Sequence, residues 1–223
     1  MATCGKGKHA FGFFNYSKTR RKRRPQWSLL APIPNEAILS MAYKNKQITN
    51  SRTGQSIKFL LTSEDTHGEL LEMESSFLPL SKEPIPHYHP NQVEDFLVIS
   101  GQLMVRMNGQ VTIYKRNERF HVPANEVHSM WNGSGEATVV NWRVKPALDT
   151  ENLLETISGL ANDGKTNANG VPNLLQTVLI ANKYSRVFRA ASPPYFLQKI
   201  VFTLITPISY LLGFKPYYNK YLD

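Results

Sequence analysis

The chain has a single cysteine, Cys4, so no disulfide can form within it and a thiolate zinc finger is excluded. Its 13 glycines and 14 prolines in 223 residues follow no strict period, which excludes a collagen-like sequence. It lacks an uncharged run of the roughly 20 residues that a membrane-spanning helix needs. No internal repeat is evident, which removes solenoids and propellers. Apolar residues are not scarce. At 41% hydrophobic and 19% charged, the chain can bury a sizeable core and is not a wholly disordered sequence.

Acid is missing too, but only locally. Residues 1–24 hold Lys6, Lys8, Lys18, Arg20, Arg21, Lys22, Arg23 and Arg24, with no Asp or Glu. They carry eight of the nine units of formal net charge and leave 18 basic against 17 acidic residues in the rest. The pI near 9.6 is therefore a property of one end, and the inference from basicity to nucleic acid is weak. No apolar run follows Arg24, so a secretory leader is not expected and a cytoplasmic location is. With Pro25, Pro32 and Pro34 following the cationic block, residues 1–35 read as a basic, disordered tail and linker.

From Ile57 the texture is one of short strand-like runs broken by turn residues. These are Ile57–Thr62, Glu69–Phe77, Asp95–Ile99, Leu103–Met107, Val111–Lys115, Arg119–Val122, His128–Trp131 and Ala137–Val144. Asn108-Gly109 between two alternating runs is a strong hairpin signal. Short strands at regular spacing without intervening helices predict a mainly β sandwich or barrel over residues 36–148.

Past Asp149 the period changes. Leu153, Leu154, Ile157 and Leu160 repeat at helical spacing, with Asp149 or Thr150 as N-cap. A second helix is expected to start at Pro172, and a third to follow Pro193-Pro194 and stop at Gly213, kinked at Pro207. Residues 149–223 thus read as a helical C-terminal extension packing on the barrel. The third helix places Val201, Leu204, Ile208 and Leu212 opposite Thr203, Thr206 and Tyr210. Docking of that apolar stripe on the core is the first reading, and peripheral membrane contact through residues 196–214 is the second.

Three histidines and a glutamate stand apart in the strand-rich middle. His87 and His89 flank one residue, four residues separate His89 from Glu94, and six separate Glu94 from Gly101. Downstream come Pro123, His128 and Asn132. On a strand, His87 and His89 project to one face, and so do His128, Met130 and Asn132. Three imidazoles and a carboxylate converging in a barrel form a nitrogen and oxygen donor set suited to divalent Fe, Mn, Ni, Cu or Zn. His9, His67 and His121 have no ligand-like partner in sequence and are expected in surface or packing roles. Phe96, Val98, Met104, Met130 and Trp142 are candidates for the cavity wall.

The stretch His87–Gly101 resembles the first conserved motif of the cupin superfamily, without a gap. Residues 117–132 resemble the second, with Asn117 and Asn125 in its two glycine places and Pro123, His128 and Asn132 in register. Asn is the non-glycine residue that best tolerates a left-handed backbone, so these departures are mild. The resemblance covers roughly residues 57–145 and implies a double-stranded β-helix, or jelly-roll barrel. It implies metal ligation by His87, His89, Glu94 and His128, with Fe or Mn favoured. The C-terminal part also resembles bacterial cupins that carry a helical extension.

Two kinds of function follow. One is a metal-dependent enzyme (a dioxygenase, isomerase or lyase) on a small organic substrate, with Glu94 as a catalytic group able to take a proton. The other is a non-catalytic small-molecule-binding or sensor protein. No helix-turn-helix pattern flanks the barrel, so nucleic acid is not an expected partner. The resemblance to small cupins, which often pair through sheet edges, leaves a homodimer open.

Overall fold

The computed structural model describes residues 42–222. The tail expected over 1–35, with Cys4 and His9, lies outside the described residues.

Period-two alternation sets the strands. Leu71–Phe77 buries every second side chain along its whole length, as a strand with one face on a core must. In chain order the strands are β1 (Gln47–Thr49), β2 (Ser56–Leu61), β3 (Leu71–Phe77), β4 (His87–Tyr88), β5 (Val93–Ser100) and β6 (Gln102–Met107). They continue as β7 (Gln110–Lys115), β8 (Arg119–Val122), β9 (His128–Trp131) and β10 (Thr138–Lys145). The helices are α1 (Thr150–Asn162), α2 (Leu174–Lys183) and α3 (Tyr195–Leu211), with β11 (Arg189–Ala190) between α2 and α3. Pairing is antiparallel throughout. One sheet runs β1-β2-β3-β10-β5-β8 and the other β11-β4-β9-β6-β7.

Between the sheets Phe77, Phe96, Val98, Leu103, Val105, Phe120, Val122 and Val140 form a buried cluster. Phe96 and Phe120 stack in it with ring centroids 4.6 Å apart. This is the expected mainly β jelly roll with C-terminal helices. Strands β1 and β11, of three and two residues, are too short to show an alternation and have no counterpart in the sequence reading.

Turn chemistry matches the residues present. Asn108 and Gly109 both take positive φ (48° and 79°), the twist of a type I′ hairpin between β6 and β7. Asn117 and Asn125 sit at φ 69° and 67°, so the two asparagines supply the left-handed backbone. Gly101 turns the chain from β5 into β6 at φ 72°, and a Cβ there would lie 2.6 Å from the Ala137 carbonyl oxygen.

Helix α1 is tied to the barrel by buried polar groups. Gln92 donates to the carbonyls of Pro146 and Ala147 and to the Thr150 hydroxyl. Lys46 pairs with Glu155 at 2.6 Å, and Glu151 accepts from the Ser63 backbone N–H. The helix starts after Asp149, whose side chain makes no capping bond. Helix α2 begins at Leu174 rather than Pro172, because Asn173 caps it by accepting from the Gln176 N–H.

The third helix departs from the first sequence reading. Val201, Leu204, Ile208 and Leu212 are exposed, by 41 to 69%, rather than docked. Its covered side carries Gln198, Phe202, Ile205 and Ser209 instead. Gln198 reaches the carbonyls of Ala190 and Pro193, at 2.9 and 2.6 Å, and this pairing fixes which face turns inward. Pro207 lies inside the helix without ending it. No described helix is long and apolar enough to cross a membrane.

Two outcomes follow from this packing. Gly101→Ala is expected to cost about 2 kcal/mol or more in urea unfolding, whereas Asn117→Gly should be near neutral. Burial pushes the Glu151 carboxyl up to about 7, with Glu155 adding to it. The folded state then keeps a proton that the unfolded state releases near the ordinary value, so stability falls as pH rises from about 4.5 to 7. Glu151→Gln should remove that fall and raise stability at pH 8 by on the order of 2 kcal/mol, with little change at pH 4.

Candidate metal centre

Strand pairing assembles the site. His87 on β4 and His128 on β9 are register partners on adjacent strands. His89 lies one residue beyond β4, where its carbonyl accepts from the Asn125 N–H at 2.9 Å. Glu94 comes across the barrel from β5. It shares the inward face of that strand with Phe96 and Val98.

Each imidazole is held in one tautomer by the main chain. The Nδ1 atoms of His87, His89 and His128 lie 3.1, 2.6 and 3.0 Å from the carbonyl oxygens of Ile85, Val187 and Glu126. A carbonyl oxygen only accepts, so each Nδ1 carries its proton and donates. That leaves three Nε2 lone pairs for the centre. One ring nitrogen from each histidine lies within 4.8 Å of the others.

Glu94 stands in the same space. Its Oε2 is 3.0 Å from Nε2 of His128 and 3.3 Å from Nε2 of His89. Its Oε1 accepts from the Trp142 indole N–H at 2.9 Å. Glu94 and His128 are each 1% exposed. Nε2 of His89, Nε2 of His128 and Oε2 of Glu94 have no hydrogen-bond partner among the described residues. Lone pairs facing one another in a buried site need a cation or an extra proton between them. A transition ion meets the need of all four donors at once, so the residues fit such a group.

The ionisation of His87 and Glu94 agrees with a ligand set, while His128 is drawn toward a proton that an ion would have to displace. Burial, with His128 and His89 adjacent, pushes the His87 imidazolium down to about 3, so the ring is neutral. Burial pushes Glu94 up, but His89 and His128 outweigh it and hold its carboxyl at about 2. For His128, burial works downward, and the Glu94 carboxylate 3.0 Å away carries the net shift upward.

Above the donors is a cavity of about 280 Å³. Met130, Trp142, Phe77 and Ile85 line it from the barrel, and Leu153, Leu154, Ile157 and Phe188 from the C-terminal extension. Of the expected wall residues, Met130 and Trp142 reach it; Phe96 and Val98 belong to the core between the sheets, and Met104 does not line it.

The structure adds residues that sequence reasoning missed. Phe188 stacks on His87, with centroids 4.7 Å apart and planes at 26°, and Val187 supplies the carbonyl that orients His89. Both precede β11, which pairs with β4. A two-residue strand after a helix leaves no periodic signal, so nothing in the sequence pointed there. His121 has a partner after all: its Nδ1 lies 2.8 Å from Asp95 on the outer face of the sheet, away from the centre. Trp131 packs under Arg106, whose guanidinium lies 5.6 Å from its ring. Asn132 is structural, donating to the carbonyls of Leu78 and Glu136.

Residues 75–143 match the family model of the cupin domain (Cupin_2). Among curated proteins no match is found. Several solved structures are similar. KdgF from Halomonas sp. is 16% identical, with 46% of this chain and 88% of that one covered, at a TM-score of 0.40. A predicted oxalate decarboxylase from Thermotoga maritima is 20% identical, covering 46% and 92%, at 0.41. An RmlC-like cupin from Shewanella frigidimarina is 17% identical, covering 49% and 93%, at 0.40.

The indole of Trp142 steadies Glu94 from outside the donor set. Trp142→Phe is expected to leave the fold intact and to weaken Co(II) binding about tenfold or more in a spectroscopic titration.

Proposed function

With residues 75–143 a cupin domain, we propose that the protein is a metal-dependent enzyme of the oxygenase kind, acting on a small organic substrate with an apolar or aromatic body. The observation that carries this reading is the set of three tautomer-locked imidazoles and an ionised carboxylate at the floor of an apolar cavity. His87, His89 and His128 would hold the ion through Nε2, and Glu94 through Oε2. Nitrogen and oxygen donors suit Fe, Mn, Ni, Cu or Zn, with Fe or Mn favoured. When bound, the ion would supply Lewis acidity and, if redox-active, an electron.

The chain's own residues account for the rest. Leu153, Ile157 and Phe188 close over the cavity and exclude water from the floor. Their apolar surfaces select a substrate with a matching body, and the cavity volume limits it to a small molecule. Trp142 holds one oxygen of Glu94 so that the other faces the centre. The neighbouring imidazoles hold the Glu94 carboxyl low against its burial, which favours the anion. Its first role is charge, and its second is to accept a hydrogen bond or proton from a substrate hydroxyl beside it.

Elemental analysis of the purified chain should give about one transition ion per chain. His128→Ala should lose that ion and melt several degrees lower. Oxygen uptake, screened with the Fe-loaded protein against flavonols, catechols and diketones, should identify a consumed substrate. Tight ligand binding without turnover would return the protein to the binding or sensor class. Absence of metal, with His128→Ala melting unchanged, would overturn the metal reading itself.

A further inference from the structure

Helix α3 exposes its apolar side. Leu197, Ile200, Val201, Leu204, Ile208 and Leu211 are between 41% and 85% exposed. Their spacing of three and four residues puts them on one face, opposite the covered side of Gln198, Phe202 and Ser209. At 17 residues the helix is about 26 Å long. Lying flat on a surface, it would present that face along its whole length.

The charge around it has one sign. Asp163 is the last acid before the terminal Asp223, so residues 164–222 contain no Asp or Glu. The same stretch holds Lys165, Lys183, Arg186, Arg189, Lys199, Lys215 and Lys220. Residues 25–163 are the reverse, with 11 basic and 16 acidic side chains. The near-neutrality of the chain beyond its tail is therefore an average over an acidic stretch, residues 25–163, and a cationic one, residues 164–222. Lys199 borders the apolar face beside Phe196, Ile200 and Leu204, and Lys215 follows its far end. Neither forms an ion pair among the described residues.

We propose that α3, with Lys199 and Lys215, is a peripheral docking surface for an anionic phospholipid bilayer. The helix has the attributes of an interfacial segment: a broad apolar face, cations at its border and ends, and no acid to repel headgroups. A second copy of this chain suits the face poorly. A two-fold contact would set like cations against each other, with no acid on the helix or elsewhere in residues 164–222 to answer them. The cationic segment 1–24 is unsuited for the same reason.

The test uses the full chain and sedimentation with vesicles of phosphatidylcholine alone or with phosphatidylglycerol. Binding is expected to the mixed vesicles and at least tenfold weaker to phosphatidylcholine. Leu204→Glu/Ile208→Glu should cut binding to the mixed vesicles about tenfold or more, with melting temperature and metal content unchanged, since both residues are exposed. Lys199→Ala/Lys215→Ala should cut it severalfold at low salt and less at high salt. Equal binding by wild type and Leu204→Glu/Ile208→Glu would assign attachment to the basic N-terminal segment and overturn the proposal. So would no binding to either vesicle. A wild-type dimer in sedimentation equilibrium that Leu204→Glu/Ile208→Glu splits would overturn it in favour of a second copy.

Discussion

A carboxylate buried at the floor of an apolar cavity must be answered by positive charge, and the barrel around Glu94 is arranged to supply the means. Three imidazoles surround it, yet their outer nitrogens already donate to carbonyl oxygens, so in the neutral form they offer lone pairs rather than protons. The site is thereby committed to an external cation or to protonation of His128. A single ion satisfies four donors and costs no imidazole its main-chain bond. The same constraint explains the indole of Trp142, a neutral donor that relieves Glu94 from behind.

The C-terminal extension is part of this site. Helix α1 lines one side of the cavity, Phe188 lies over His87, and Val187 orients His89. Gln92 joins the barrel to the start of α1 and the residues before it, through the Pro146 and Ala147 carbonyls and the Thr150 hydroxyl. Disturbing the extension would therefore disturb ligand orientation as well as cavity shape. Having spent these contacts on the barrel, the extension leaves α3 with α2 as its helical neighbour and one apolar side uncovered.

Much of the site was legible because local chemistry dictated it. The alternation of β3, β5 and β10, the Asn-Gly turn, and the spacing of His87, His89, Glu94 and His128 are all readable along the chain. Asn117 and Asn125, read as stand-ins for glycine, do adopt the left-handed backbone. Less was legible where the partner is distant in sequence. His89 to Val187 spans 98 residues and Glu94 to Trp142 spans 48, and no local period marks either. The face chosen by α3 was misread for a related reason. Apolar count favoured Leu204 and Ile208 inward, whereas the carbonyls of Ala190 and Pro193 required Gln198 there.

The sequence by itself determined the longer strands, the Asn-Gly turn, the four donor types and the absence of acid from residues 164–222. These depend on side-chain identity and on spacings of a few residues. The tertiary structure decided which nitrogen of each histidine is free, what closes the cavity, and which side of α3 meets solvent. Those outcomes depend on hydrogen bonds and packing between segments far apart in the chain, where a buried polar group takes whichever partner the folded sheets bring within reach.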